Sequence, residues 1–337
     1  MVTRRILAML AVFCAFVCLA PASPAQALTP AGGGLYFQSL QPFGWGLGPL
    51  TLADPNNLLV TVHSTHGSRL VHSADAGMTW QPVDLGLEYD ITITGLDFLD
   101  AQHARALASW YEETSGTFRI GLLRSDDGGA SWSLQPIASD GYDVSGASFA
   151  STDVAFIDGR EYTASTKTWQ TRLLATTDGG ASWKRIAIAC TYPYDLTAID
   201  ARHLWLFDSD AQTVWTSRNG GATWTIHNLP LKGEAGVTWG IDTMQALGTK
   251  VAWIQVTRAA KPHHIIMRTT DRGRNWRVVR RLEDSAVASL TAIGAGEAWL
   301  AVSVDDAVPN SPPTTITPPT AGRAGRAPTS VRARSVL

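Results

Sequence analysis

Between residues 57 and 302 the apolar positions fall in short runs of strand length, broken by turns rich in Gly, Asp, Asn, Ser and Thr. One repeat unit shows the grammar. Strands are predicted at Ile91–Phe98, Ala104–Trp110 and Thr117–Arg124, then comes a compact polar turn, then a strand at Leu134–Ala138. The next unit reads Val144–Phe149, Val154–Ile157, Arg172–Ala175, a turn, and Arg185–Ala189. Second strands share an apolar core: Leu204-Trp205-Leu206-Phe207, Val251-Ala252-Trp253-Ile254 and Ala298-Trp299-Leu300-Ala301. Aromatic and β-branched enrichment at this turn spacing predicts β-structure throughout, and no amphipathic helical period stands out.

The polar turn before each fourth strand recurs five times: Ser73–Trp80, Ser125–Trp132, Thr176–Trp183, Ser217–Trp224 and Thr269–Trp276. Successive copies start 52, 51, 41 and 52 residues apart, a period that marks one supersecondary unit used repeatedly. The shared pattern is S/T-x-D/N-x-G-x-S/T/N-W. Its acid or amide (Asp75, Asp127, Asp178, Asn219, Asp271) is expected to accept a bond from the backbone two residues on and close the turn. Its glycine (Gly77, Gly129, Gly180, Gly221, Gly273) takes positive φ without a Cβ penalty. The hydroxyls bond across the turn, and the Trp (Trp80, Trp132, Trp183, Trp224, Trp276) opens the next strand with a large apolar face.

These residues resemble the Asp-box (BNR) repeat of sialidases, family 74 glycosidases, sortilin-type domains and photosystem II assembly-factor propellers. The resemblance spans roughly residues 57 to 302. It implies an all-β fold, a single β-propeller of four-stranded antiparallel blades, in which the box is a structural turn away from any active site. Five complete units, two strands at Ser289–Ile293 and Glu297–Val302, and a strand near Leu35–Leu40 add to six blades, with seven as the alternative. The Gly-rich, aromatic stretch 28–50 is expected to close the ring by pairing with the last unit, which removes exposed edges.

Outside the repeats the chain changes character. Arg4 and Arg5 precede an apolar run from Ile6 to Ala20, and Ala25-Gln26-Ala27 offers a small-x-small cleavage site, so residues 1–27 read as an export signal. The run is short for a bilayer span, and the paired arginines fit either a general secretory or a twin-arginine signal. The propeller is assigned to 28–304. Residues 305–337, rich in Pro, Thr and Arg, are expected to be a disordered tail: a spacer, a weakly basic arm or a frameshift product.

Composition narrows the chemistry. Lys and Arg total 27 against 29 acids, and this balance gives no support for nucleic-acid binding. After signal removal Cys190 is the one cysteine left, which rules out an internal disulfide and suits a small buried apolar residue. His63, His66, His263 and His264 lack the companions of a tetrahedral metal site, and the box acids lack the alternation of a calcium loop. Neither a metal nor a cofactor is expected.

One further repeat lies in the loops entering the first strands: Tyr89-Asp90, Tyr142-Asp143 and Tyr194-Asp195, with Glu88, Asp140, Tyr192, Glu234, Glu283 and Asp284 nearby. Read as equivalent positions, they would converge on one mouth of a central channel. Aromatic rings beside carboxylates suit sugar stacking or capture of a cationic peptide group. The competing reading is structural: Asp closes a turn and Tyr packs between blades. A glycosidase would need two carboxyls at a defined separation, which Asp90, Asp143 and Asp195 could supply. A sialidase would also need an arginine cluster and an Arg-Ile-Pro motif. The nearest match, Phe118-Arg119-Ile120-Gly121, lacks the proline and abuts a box. The expectation is therefore an exported, monomeric, non-catalytic module binding a protein or glycan through an acidic-aromatic face. The alternative is an exo-acting glycoside hydrolase.

Overall fold

A computed structural model describes residues 46–64, 67–87, 90–137, 142–163, 165–231, 239–258, 264–282, 286–303 and 330–336. The fold is all-β, built of antiparallel four-stranded blades of the propeller type, and no helix occurs among the described residues. Five sheets have four strands in sequence order. They are β1–β4 (Gly46–Leu52, Leu58–Ser64, Gly67–Ser73, Gln81–Pro82) and β5–β8 (Thr92–Phe98, Ala104–Glu112, Thr117–Ser125, Ser133–Ile137). Next come β9–β12 (Tyr142–Phe149, Ala155–Thr163, Thr168–Thr176, Lys184–Ala187) and β13–β16 (Pro193–Ala198, Leu204–Asp208, Thr213–Ser217, Trp224–Asn228). The fifth is β17–β20 (Trp239–Ala246, Ala252–Arg258, His264–Thr269, Arg277–Leu282). A sixth sheet holds β21 (Ala286–Ala292), β22 (Glu297–Ser303) and β23 (Ser330–Val336).

Two compact units divide these sheets. The first comprises the described residues up to Ala211 with Trp215–Ile226, and the second comprises Gln212–Val214 and those from His227 onward. In the first unit β1, β5, β9 and β13 lie beside one another in succession, so each blade's first strand is innermost. Apolar cores fill the spaces between blades. Leu59 and Leu70 meet Ile93, Ala106 and Leu123; Leu107, Ile120 and Leu122 meet Tyr142, Phe149 and Ile157; Phe156 and Leu173 meet Leu196, Leu204 and Leu206. In the second unit Trp253 and Ile266 meet Leu290, Ala298 and Leu300. Strand β14 is buried at every position, so neither of its faces is a solvent side. Each of its apolar side chains contributes about 1.5–3 kcal/mol of burial.

The box is a closed hydrogen-bonded unit. In the second copy Ser125 Oγ donates to Asp127 Oδ1 at 2.8 Å and accepts the Gly129 N–H at 2.8 Å. Asp127 then accepts the Ser131 N–H at 2.9 Å and the Ser131 hydroxyl at 2.5 Å. All five copies repeat this scheme, with Asn219 replacing the acid in the fourth, where its amide donates to the Thr223 hydroxyl, and Asn275 replacing the last hydroxyl in the fifth. The acid thus reaches four residues on, not two as expected, because the first hydroxyl has already taken the glycine amide. The fourth position of each box has positive φ along with the glycine (Gly128 76° and Gly129 92° in the second). It also bonds the turn between the blade's first two strands, as Gly128 N–H does to Gln102 O at 2.8 Å and Gly179 N–H to Asp153 O at 2.9 Å. A Cβ at Gly129 would come within 2.9 Å of Leu59 of the preceding blade, so glycine is required there on two counts.

Three expectations about strand placement change. Residues 46–50 do not close the ring. They belong to β1, which pairs antiparallel with β2 across a short turn held by Asp54, so the nearer partner wins on loop-closure cost. Strands β10 and β11 run past the predicted Ile157 and Arg172 to Thr163 and Thr168, because backbone pairing continues through polar residues that the apolar pattern does not register. Within the expected tail, Ser330–Val336 forms a strand parallel to β22, where Val331 and Ala333 alternate with Arg332 and Arg334 in the two-residue period of a strand. Segment 1–27, Leu35–Leu40 and the remainder of the expected tail lie outside the described residues.

Candidate functional site

In an up-and-down blade the box and the turn between the first two strands share one end. The hairpin between the second and third strands, and the link to the next blade, lie at the other. The two fully described Tyr-Asp pairs, Tyr142-Asp143 and Tyr194-Asp195, fall at this second end, but not at one level. The strand pairs of consecutive blades end at Phe98↔Ala104, Phe149↔Ala155 and Ala198↔Leu204. Tyr142 lies seven residues before Phe149, whereas Tyr194 lies four before Ala198. The pairs are therefore not equivalent.

Their environments differ accordingly. Tyr142 is buried, and its hydroxyl donates to Arg172 O at 2.7 Å; burial pushes its pKa far up. It is an inter-blade packing residue and not a surface one. Asp143 is exposed and ion-paired to Arg160 at 2.6 Å. Tyr194 is exposed, while Asp195 is half-buried in the left-handed region at φ 58°, at a bulge in β13. Asp90 is exposed just before β5. Tyr89, Glu88, Asp140, Glu234, Glu283, Asp284, His66 and His263 lie outside the described residues.

The hairpin end assembles other side chains. Tyr111 and Phe118 are cross-strand partners near the β6–β7 tip, with ring centroids 5.3 Å apart. Tyr162 and Trp169 occupy the same places at the β10–β11 tip, 5.2 Å apart. Phe118 is 60% and Trp169 50% exposed, which is unusual for such large apolar groups. Tyr192, from the link between β12 and β13, is also exposed. The Arg160 guanidinium lies 5.5 Å from the ring centres of both Trp169 and Tyr192, so it is held between two π faces and fixed by Asp143. Below it opens a cleft of about 490 Å³ bordered by Arg160, Trp169, Thr171, Arg172, Cys190 and Tyr192. Glu161 anchors Arg185 at 3.0 Å and Arg172 at 3.7 Å. The cleft wall is thus cationic and aromatic, with its acids turned to holding arginines.

Under this face lies an unusual carboxyl. Asp158 stands on β10, one position further along the same strand face as Phe156, between blades three and four. Aligned on the paired ends above, blades two and four carry Leu107 and Phe207 there. Asp158 is 1% exposed, and neither carboxylate oxygen has a hydrogen-bond partner among the other described residues. Room for it comes from Gly146, where a Cβ would stand 2.9 Å from Asp158 Oδ1. Burial, with Asp195 adding repulsion, raises its pKa to about 7. Cys190 is buried, and burial followed by Asp208 drives its thiol pKa up, so it is not poised as a nucleophile.

Sequence reasoning missed the aromatic tips, although a signal was present. Tyr111 to Tyr162 and Phe118 to Trp169 are both spaced by 51 residues, the step between their boxes. Asp158 was also visible as a charge ending the apolar run Val154–Ile157. His63 bonds Ser68 at 2.9 Å and His264 bonds Thr257 at 2.7 Å, and no group of three metal-binding side chains occurs among the described residues. Nor does any described helix cross a membrane.

No protein-family model and no curated protein sequence matches the chain. Solved structures do resemble it. YCF48 bound to D1 peptide superposes with TM-score 0.52 at 18% identity, covering 75% of this chain and 74% of that one. The Hadza microbial sialidase Hz136 gives 0.50 at 16% identity, covering 73% and 61%. The xyloglucanase of family 74 from Xanthomonas campestris gives 0.50 at 16%, covering 68% of this chain but 38% of that one. At these identities the likeness establishes the propeller fold, as the box repeats led one to expect, and nothing finer.

Proposed function

We propose that this protein is an exported, monomeric, non-catalytic binding or assembly module that takes a polypeptide segment on the hairpin end of its first unit. The observation that carries the reading is the pair of exposed aromatic couples, Tyr111–Phe118 and Tyr162–Trp169, at matching places on consecutive blades. Exposed aromatics with an adjoining fixed arginine are the composition of binding hot spots. The tilted rings, Arg160 between Trp169 and Tyr192, and the cleft beneath form a surface organised before any partner arrives, which lowers the entropic cost of binding. The fold neighbour YCF48 holding D1 peptide makes a peptide a reasonable first class of partner. Of the acids expected from sequence Asp143 orients Arg160, and Glu161, which was not among them, holds Arg185, so the contact surface around the cleft is aromatic and cationic.

The test is a peptide array probed with the mature chain and with a Phe118→Ala/Trp169→Ala double variant. Binding should fall at least about tenfold in the double variant, the loss expected for two hot-spot aromatics, with the melting curve unchanged. Equal binding by both proteins would sink the reading. Turnover of a glycoside panel, abolished by Asp90→Asn or Asp143→Asn, would establish the glycoside-hydrolase alternative in its place.

A further inference from the structure

The near-neutral charge of the whole chain conceals a segregation. Residues 1–226 carry 13 basic and 21 acidic side chains, while residues 227–337 carry 14 basic and 8 acidic. The excess is concentrated in the fifth sheet. From His264 to Leu282 there are six arginines, Arg268, Arg272, Arg274, Arg277, Arg280 and Arg281, against the single acid Asp271. Outer strand β20 exposes Arg277, Arg280 and Arg281, and the turn before it exposes Arg274. None of the three strand arginines is ion-paired with a described carboxylate.

Two features set this edge apart from ordinary solvated charge. Among the other outer strands β4 and β8 have no charged residue and β16 none beyond His227, while β12 carries Lys184 and an Arg185 that is paired with Glu161. Moreover, Arg268 and Arg277 are direct cross-strand partners. Like charges placed opposite each other weaken a sheet, so this pairing is a local cost that the fold does not require. Arg268 is further committed by stacking on Trp253 at 5.5 Å and by donating to Ala295 O. An anion bridging the two guanidinium groups would convert the repulsion into paired attraction.

We infer that the β20 edge of the second unit is a binding surface for a linear polysaccharide bearing repeated carboxylate groups. The ligand class follows from four considerations. The cations on β20 are all arginine, whose planar fork matches carboxylates bidentately. From Arg277 to Arg281 the extended strand presents three charges along about 13 Å, which suits a linear chain. No large exposed hydrophobic residue occurs among the described residues of this unit, so base stacking, membrane insertion and a protein hot spot all lack their anchor. The export signal expected at residues 1–27 would bring the chain to the compartment where acidic polysaccharides are encountered.

The experiment measures binding of the full chain to immobilised polygalacturonate across a salt series, with neutral dextran, duplex DNA, polyglutamate and anionic phospholipid vesicles as comparison probes. Polygalacturonate is expected to bind best, with affinity falling steeply as salt rises. The Arg277→Ala/Arg280→Ala/Arg281→Ala variant should bind about 30-fold more weakly and lower the salt slope by about 2, through lost counterion release. The Arg277→Lys/Arg280→Lys/Arg281→Lys variant should keep the slope yet weaken binding several-fold, because the charge remains and the fork is gone. Lys184→Ala, in the first unit, should leave affinity unaltered. Thermal melting separates binding from folding, since Arg277→Ala removes the like-charge pair and should not lower Tm. Unchanged polygalacturonate binding by the triple alanine variant, or tighter binding to any of the comparison probes, would overturn the assignment.

Discussion

Replacing Asp158 by Asn tests whether a buried, unpartnered carboxyl sets the pH dependence of stability. The folded protein holds the Asp158 proton up to about pH 7, while the unfolded chain releases it near 3.8. Between those values the native state binds more protons than the unfolded state, so stability is fully present below the unfolded pKa and is lost as pH rises through the folded one. Three units of displacement correspond to about 4 kcal/mol in total, of which about 3 kcal/mol falls between about pH 4.5 and about pH 8. The groups that act on Asp158 are Asp195, Tyr142 and Cys190; the last two stay protonated throughout because burial raises their own pKa values. Asn keeps the shape beside Gly146 and cannot ionise. Urea unfolding of both proteins across this range should give similar midpoints at low pH and an advantage for Asn that grows by about 3 kcal/mol toward high pH. Comparing the two cancels the opposing contributions of His72 and His227, whose pKa values burial lowers. Parallel pH profiles, agreeing within about 1 kcal/mol, would refute the argument that Asp158 is held without a partner.

Four further outcomes follow from the blade architecture. Asp127→Ala removes the acceptor of the Ser131 amide and hydroxyl and should lower stability by about 1–2 kcal/mol, read as a reduced Tm, while partner binding at the hairpin end stays intact. Gly129→Ala places a Cβ 2.9 Å from Leu59 at φ 92° and should cost more than Asp127→Ala, about 2–4 kcal/mol of unfolding free energy in a urea titration, because strain and overpacking add. Tyr142→Phe leaves the Arg172 carbonyl without its 2.7 Å donor and should destabilise by about 1 kcal/mol without affecting binding, which distinguishes a packing tyrosine from a contact one. On the acid side, Asp178 sits at about 2, held there by the Ser182 hydroxyl and amide and the Thr176 hydroxyl. Its contribution is present above the unfolded pKa near 3.8 and is lost as pH falls toward about 2, so Asp178→Asn should flatten the acid limb of a melting profile.

What the sequence determined by itself was everything carried by local bonds. The Asp-box closes within eight residues, from Ser125 to Trp132, and every partner it uses for its own turn lies inside that span. Its recurrence therefore specified the blades, their order and the propeller class. Second strands such as β14 were equally legible, because burial on both faces writes an unbroken apolar run. What the tertiary structure decided was every relation between residues that share no local period. The Tyr-Asp pairs look alike in sequence, yet bulges and loop lengths set Tyr142 into an inter-blade core and Tyr194 into solvent. Asp158 reads as the end of a strand until Gly146 and the neighbouring blade enclose it. The aromatic tips and the Arg268–Arg277 pairing exist only once register brings separate strands together. Hydrogen bonds a few residues long are dictated by the chain that makes them, whereas burial, pKa and surface charge depend on what the rest of the fold places alongside.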